Sequence, residues 1–325
     1  MGEHGGAVVA TVWLCPGQGV QKVGMGKDLA ERFPVARETF QVIDDALDVA
    51  LSRLMFDGPD DELTATHNAQ PAILAHSAAV FAVVRSKLDG AIGAAGHSLG
   101  EYSAYVTAGA LGAGEAAKLV RRRGEVMHKA GEERPGTMAA ILGLATAAVQ
   151  AACQEVSRQG SVVVPANLNA PDQTVISGDP DAVARAGEAC KARGAKRVIP
   201  LKVSGAFHSP LMAPAANHLL VALERAAFLD PAFPVLANAT AEAVKEATRA
   251  RRLLADQLTA PVRWVECMQH AVRLAGAGPG AAKDLRFIEI GPGTVLAALL
   301  KRIVPGANVM SLGTADEVTR FLEAA

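Results

Sequence analysis

The stretch from Ala91 to Ala110 constrains the fold of this chain more than any other. Ala91-Ile92-Gly93-Ala94-Ala95 is short and apolar, as a buried strand is. Glu101 to Ala110 contains no proline and predicts a helix. Between them lies Gly96-His97-Ser98-Leu99-Gly100, a corner of small residues with a serine at its apex. Strand, sharp turn and helix in that order form the setting in which G-x-S-x-G becomes a nucleophile elbow. The glycines let the backbone turn, and the helix N-terminus behind the serine favours developing negative charge. A tight turn that merely contains a serine satisfies the same five residues, so the rest of the chain must decide.

The flanking sequence alternates in the manner of a parallel sheet covered by helices. Val8 to Leu14 is apolar and β-branched and breaks at Pro16-Gly17-Gln18-Gly19, a strand running into a glycine loop. Leu29 to Leu54 reads as largely helical, Gln70 to Leu88 as a long apolar helix, and Gly114 to about Lys129 as another. From about Pro135 the rhythm changes. Strands are predicted over Thr137–Leu144, Ser161–Asn167, Gln173–Ser177 and Lys196–Val203, with helices over Thr146–Arg158 and Pro180–Ala192. That β-α-β-β-α-β order is the ferredoxin-like split unit. The expected fold is therefore α/β: a large α/β-hydrolase-like domain with a parallel sheet, formed by residues 1–131 and 206–325. A ferredoxin-like α+β small domain, residues 132–205, is inserted in it. A further strand is expected at Phe287–Ile290, ending in Gly291-Pro292-Gly293.

Composition narrows the function classes. The net charge of −1 gives no reason to expect nucleic acid or an anionic membrane as a partner. The start Met-Gly-Glu-His-Gly-Gly lacks the basic and apolar regions of a secretory signal, and no segment offers about 20 apolar residues. Cys15, Cys153, Cys190 and Cys267 are far apart and read as buried thiols of a reducing compartment. The expectation is a cytoplasmic, monomeric enzyme with no metal or redox cofactor, since neither ligand spacing nor a dinucleotide-type glycine loop is present.

A serine hydroxyl needs a base to act as a nucleophile near neutral pH. Of eight histidines, His4 lies near the terminus, and His67, His76, His128 and His270 have no special sequence surroundings. His97 adjoins the serine, but adjacent residues at a turn point apart. His218 sits in a helix-like run. His208, in Val203-Ser204-Gly205-Ala206-Phe207-His208-Ser209, leaves a strand on a glycine-loosened segment, a placement that suits a catalytic base.

Several motifs occur together and in order. They are Pro16–Gly19 (P-G-Q-G), Gln70–Ala72 (Q-P-A), Gly96–Glu101 (G-H-S-L-G-E) and Arg121–Gly124 (R-R-R-G). Asn167–Pro171 (N-L-N-A-P), Gly205–Ser209 (G-A-F-H-S) and Glu289–Gly293 (E-I-G-P-G) follow. Together they resemble the malonyl-CoA:acyl-carrier-protein transacylase family from about Thr11 to Leu312. The resemblance implies Ser98 as nucleophile, His208 as base, and the backbone N–H groups of Gln18 and Leu99 as an oxyanion hole. It implies that a backbone carbonyl, at Gln257 here, orients the imidazole in place of an aspartate. Arg123 matches the arginine that grips the malonate carboxylate, with Met127 on the same helical face. Phe207 matches a bulky residue that goes with malonyl over methylmalonyl substrates, and a core phenylalanine reads equally well. His97 and Asn167 complete the implied substrate site. Arg121 and Arg122, about 100° apart from their neighbour on a helix, are expected to be solvated.

The activity implied is transfer of a malonyl group from malonyl-CoA to holo-acyl carrier protein by a ping-pong route, without a cofactor. The sequence departs from the family pattern at Trp13, Cys15 and Val20, all beside the Gln18 loop. Two other readings compete. A serine hydrolase of ordinary type wants an acid between serine and histidine in chain order, and Asp172, Asp179 and Asp181 all fall within the inserted unit. A non-catalytic carrier-protein-docking module has no use for Ser98, His208, Gln18 and Arg123 together.

Overall fold

The computed structural model describes residues 9–87, 90–157, 161–276 and 285–324. His4 and the expected element ends Val8, Leu88 and Arg158 lie outside the described residues. The main sheet has six strands in the order β10-β9-β1-β2-β7-β8. These are β1 (Thr11–Cys15), β2 (Ala91–Gly96), β7 (Val235–Leu236), β8 (Ala243–Val244), β9 (Arg286–Ile290) and β10 (Asn308–Leu312). All neighbours run parallel except β7 and β8. Every residue of the central strand β1 is buried, as expected of a strand covered on both faces. One face carries Trp13 in the larger core and the other Val12 and Leu14 in a second cluster with Trp264, Phe287 and Leu300.

The second sheet is antiparallel throughout, in the order β4-β5-β3-β6. Its strands are β3 (Thr137–Leu142), β4 (Val163–Ala170), β5 (Gln173–Gly178) and β6 (Arg197–Pro200), with helices at Thr146–Ser157 and Pro180–Ala192. This is the split β-α-β-β-α-β arrangement. A separate core of Ile141, Val149, Cys153, Ile176, Val183 and Cys190 holds these helices on the sheet. The end of β4 is stitched to the main body: Leu168 donates to the Val262 carbonyl at 2.9 Å, and Val262 to that of Ala166 at 2.8 Å.

Several expected elements differ in extent. The helical region from Leu29 is three helices, Lys27–Arg32, Pro34–Leu47 and Leu51–Asp57. Phe33 adopts extended backbone ahead of Pro34, which disfavours helix in the residue before it, and Asp48 ends the second helix with φ of 53°. The long apolar helix starts earlier, at Thr66, and ends at Val84. β6 stops at Pro200, so residues 201–207 approach His208 as irregular backbone. Strands β7, β8 and β10 were not expected. The first two have two residues each, too few for a periodic signal. All four cysteines are free and buried. No helix among the described residues is long and apolar enough to cross a membrane.

Candidate active site

β1 and β2 end side by side, with Cys15 opposite Gly96. Their carboxyl ends deliver two loops to one edge of the sheet, where open α/β sheets bind ligands. After β2 the chain turns through Ser98, at φ of 53°, into the helix Gly100–Thr107. The two glycines of the elbow are steric requirements. A Cβ on Gly96 would fall 1.9 Å from the backbone of Gly100, and one on Gly100 would fall 2.2 Å from the Cys15 carbonyl oxygen. Asn238, just after β7, straps the turn. Its Oδ1 accepts from the Ser98 N–H at 2.7 Å and its Nδ2 donates to the Gly96 carbonyl at 2.7 Å.

The Ser98 hydroxyl meets two partners. His208 Nε2 lies 2.8 Å from Oγ, and Arg123 Nη2 donates to Oγ at 3.0 Å. His208 adopts a left-handed backbone, φ 56°, strain that an L-residue tolerates when its surroundings fix it. Its Nδ1 lies 2.8 Å from the Gln257 carbonyl oxygen. Because a carbonyl only accepts, this bond sets the proton on Nδ1 and leaves Nε2 with the lone pair facing Ser98. Burial, and then the nearby Arg123 charge, push the His208 pKa down to about 3, which keeps the imidazole neutral.

Arg123 is 1% exposed, and its fork is spread over three acceptors. Besides Ser98, Nη1 donates to Gln70 Oε1 at 2.8 Å and Nη2 to Gln257 Oε1 at 2.9 Å, while Nε has no partner. Gln257 thus serves two masters: its backbone holds His208 and its side chain holds Arg123. The same amide donates from Nε2 to the Ser98 carbonyl at 3.1 Å and to Glu101 Oε2 at 2.6 Å. Glu101 is fully buried on the elbow helix. Its Oε2 also accepts from the Asn238 N–H at 3.0 Å, and its Oε1 has no partner. Burial pushes the Glu101 pKa up to about 7 against the opposing pull of Asn238, Gln257 and Arg123.

Ser98, Arg123 and His208 open onto a cavity of about 660 Å³ whose walls include Gln18, His97, Met127, Met138, Asn167 and Phe207. Among the described residues, no hydrogen bond uses the backbone N–H of Gln18 or Leu99. The predicted residues therefore converge from both sheets. His97 stands beside the serine but turns from it: its Nε2 lies 2.8 Å from Asn169 Oδ1 and its ring packs edge-on to Trp264 at 5.5 Å. Arg122 is exposed, as expected. Arg121 is not solvated but half-buried, donating to Asn68 Oδ1 at 2.5 Å, because the neighbouring helix begins directly beneath it. His76 likewise does have special surroundings. It is 1% exposed, and burial pushes its pKa down to about 4.

Asp172 and Asp179 are engaged elsewhere: Asp172 pairs with Arg302, and Asp179 with Arg134 and the Val162 N–H. Asp181 opens the exposed end of the Pro180–Ala192 helix. With a carbonyl on Nδ1, His208 has no carboxylate partner among the described residues, which do not form an ordinary hydrolase triad. Sequence reasoning gave no role to Asn238, Asn169, Gln70 or Glu101. Three of these lay inside quoted motifs. Asn238 had only the weak signal of a polar residue at the end of an apolar run, Pro234-Val235-Leu236-Ala237.

A family model described as acyl transferase domain matches residues 12–319. The chain belongs to the acyl transferase family. A malonyl CoA-acyl carrier protein transacylase of Bacillus subtilis is 44% identical over 291 residues, 90% of this chain and 89% of that protein. That of Escherichia coli K12 is 41% identical over 313 residues, covering 96% and 98% of the two chains. Among solved structures, a malonyl-transacylase in complex with a type II polyketide synthase acyl-carrier protein superposes with a TM-score of 0.89 at 42% identity. It covers 97% of this chain and 100% of that one. The Coxiella burnetii malonyl CoA-acyl carrier protein transacylase gives 0.90 at 38% identity, with 97% of each chain covered. The fold of this acyltransferase matches those solved structures over nearly its whole length.

Proposed function

We propose that this acyltransferase moves the malonyl group of malonyl-CoA to the phosphopantetheine thiol of holo-acyl carrier protein through a malonyl-Ser98 ester. The observation that carries this reading is the buried Arg123 guanidinium 3.0 Å from Ser98 Oγ. A malonyl group places its carboxylate on the carbon next to the thioester carbonyl. An acyl carbon seated at Oγ therefore brings a negative charge to Arg123, and a planar fork is the side chain best matched to it.

His208 Nε2 takes the serine proton as Oγ attacks the thioester carbonyl. The oxyanion develops toward the N–H groups of Gln18 and Leu99, whose fixed dipoles need no reorganisation. Collapse breaks the carbon–sulfur bond, and His208 returns the proton to the departing coenzyme A thiolate. In the second half-reaction His208 deprotonates the carrier thiol, which attacks the malonyl ester and regenerates Ser98. Each half exchanges one acyl bond for another, so the chemistry balances with Ser98 and His208 and needs no resident metal or coenzyme. Met127, Asn167, His97 and Phe207 form the wall against which the acyl chain lies, Phe207 leaving little room for a branch beside the carboxylate. The carrier protein docks at the cavity mouth of a monomer, and the reaction runs in the cytoplasm.

Sequential incubation with radiolabelled malonyl-CoA and then holo-acyl carrier protein tests the reading. Label should pass to Ser98 and on to the carrier. Rapid loss of label to water would favour a hydrolase, and absence of any adduct would remove catalysis altogether.

A further inference from the structure

Buried carboxylates are costly unless every oxygen is partnered. Two carboxylates are buried among the described residues, Glu289 and Glu101. Glu289 receives N–H bonds from Leu296 and Ala297, at 2.9 Å each, and a hydroxyl bond from Ser311 at 3.0 Å, so both of its oxygens are used. Glu101 uses one oxygen twice and leaves Oε1 bare. It is joined to Arg123 through one amide, Gln257, whose Nε2 faces the acid and whose Oε1 faces the guanidinium. Arg123 in turn has no direct carboxylate partner among the described residues.

The charge balance of this pocket depends on what else is ionised there. The elbow helix adds Tyr102 and Tyr105, whose phenols burial holds well above their usual range. The Trp264–Leu274 helix adds Cys267 and β1 adds Cys15, thiols pushed up by burial and so protonated. His97 at the elbow, His76 on the Thr66–Val84 helix and His208 across Gln257 are all shifted down by burial and so neutral. The Ala247–Asp256 helix adds Arg249, whose charge acts on Tyr105 and which pairs with Glu242, while Asn238 after β7 and Gln257 after that helix bring neutral amides. With Arg249 paired to Glu242, the charge acting on Glu101 itself is that of Arg123.

Resting on the malonyl reading above, we propose that Glu101 balances the charge of the carboxylate site. It is ionised while Arg123 is unoccupied, takes one proton from solvent on Oε1 when a malonyl carboxylate pairs with Arg123, and releases that proton when the malonyl group leaves. Without this uptake, loading malonate would leave two buried anions around one buried cation. Acetyl groups bring no charge and cause no uptake. Glu101 thus tunes which acyl group is held, without touching it.

The sign of the linkage follows. Below the pKa of Glu101 in the free enzyme, the acid is protonated in both states and malonyl loading is independent of pH. Above it, each malonylation consumes a proton, so loading weakens as pH rises. The test is the equilibrium of purified enzyme with malonyl-CoA or acetyl-CoA and free coenzyme A from pH 6 to 9, read by intact-protein mass. Titration of the coenzyme A thiol and of His208 is common to both donors and cancels in the malonyl-to-acetyl ratio. That ratio should be flat below about pH 7 and fall toward tenfold per pH unit above it. In Glu101→Gln, which keeps an acceptor oxygen for Asn238 and Gln257, it should be flat throughout. A flat wild-type ratio, or a slope that survives in Glu101→Gln, overturns the proposal.

Should the variant fold poorly, proton uptake by wild-type enzyme in weakly buffered indicator solution at pH 8 decides the matter. Malonylation should consume more protons than acetylation, approaching one per site, and equal uptake overturns the proposal. Failure to form a malonyl adduct at any pH would bring down the parent reading as well. An adduct with a flat ratio brings down only the role of Glu101.

Discussion

His208 and Arg123 both bond the Ser98 hydroxyl, at 2.8 and 3.0 Å, yet their surroundings prepare them for opposite tasks. His208 is held by the Gln257 backbone carbonyl and kept neutral, a lone pair aimed at the Ser98 hydroxyl. Arg123 is a buried cation spread over neutral acceptors, with a bare Nε and a titratable acid one amide away. In the proposed reaction one side makes a bond-forming step possible for any acyl group, and the other selects the acyl group by charge. Gln257 belongs to both sides, through its backbone to one and its side chain to the other, so the two functions share a scaffold and meet at one atom, Ser98 Oγ.

The harshest way to break this division is to remove the atom both sides share. Ser98→Ala should abolish covalent labelling by malonyl-CoA and acetyl-CoA alike, checked by intact mass, with the fold retained. An alanine variant that still gains a malonyl increment would move the nucleophile elsewhere. His208→Ala comes next: a positioned base contributes roughly 10²–10⁴-fold, and the loss should be the same for both donors. A loss confined to malonyl-CoA would show the two sides to be one. Because burial and Arg123 depress the pKa of His208 to about 3, kcat/KM for acetyl-CoA should stay level as pH falls from 8 to 6. An acid limb at the ordinary histidine value of about 6.5 would contradict the environment described.

Arg123→Ala tests the other side. Truncating one partner of a buried charge pair costs on the order of 2–5 kcal/mol, and that loss should fall on malonyl-CoA. Acetyl-CoA should gain relative to it, since the Ser98–His208 pair is left in place and the cation that depresses the His208 pKa is gone. Single-turnover acylation with both thioesters measures the ratio, and an unchanged ratio would sink the carboxylate assignment.

Much of this was legible in the sequence, and the parts that were not have physical reasons. The elbow showed because its glycines are sterically forced, and the split unit because its strands have six to eight residues or alternate cleanly with helices. The pairing of Ser98 with His208 spans 110 positions; the glycine-loosened loop singled out His208, and the motif likeness assigned it as the base. The strap made by Asn238 and the amide bridge through Gln257 span 140 and 156 positions. Polar residues at such separations carry no periodic mark, because their partners are set by how the sheets pack and not by local pattern. Arg121 misled for a related reason: helical spacing gives its direction but not what lies in that direction.

Arg121 therefore supplies the smallest and most discriminating test. It lies two residues before Arg123, and its guanidinium bonds Asn68, two residues before the Gln70 that holds Arg123. If the carboxylate side were a diffuse field of three arginines, Arg121→Ala and Arg122→Ala would each erode malonyl preference. If selection rests on one fork with fixed acceptors, neither will. Arg122 is exposed and, among the described residues, pairs only with Glu125 at 3.5 Å, so its loss should leave both stability and rates within error. Arg121 is half-buried, so its loss should cost about 0.5–1.5 kcal/mol of stability through the Asn68 bond. The malonyl-to-acetyl ratio should nevertheless remain that of the wild type. Thermal unfolding and single-turnover acylation on the two variants separate these outcomes. A shifted ratio in Arg121→Ala would mean that the seating of the Thr66–Val84 helix, and not Arg123 alone, sets the selectivity.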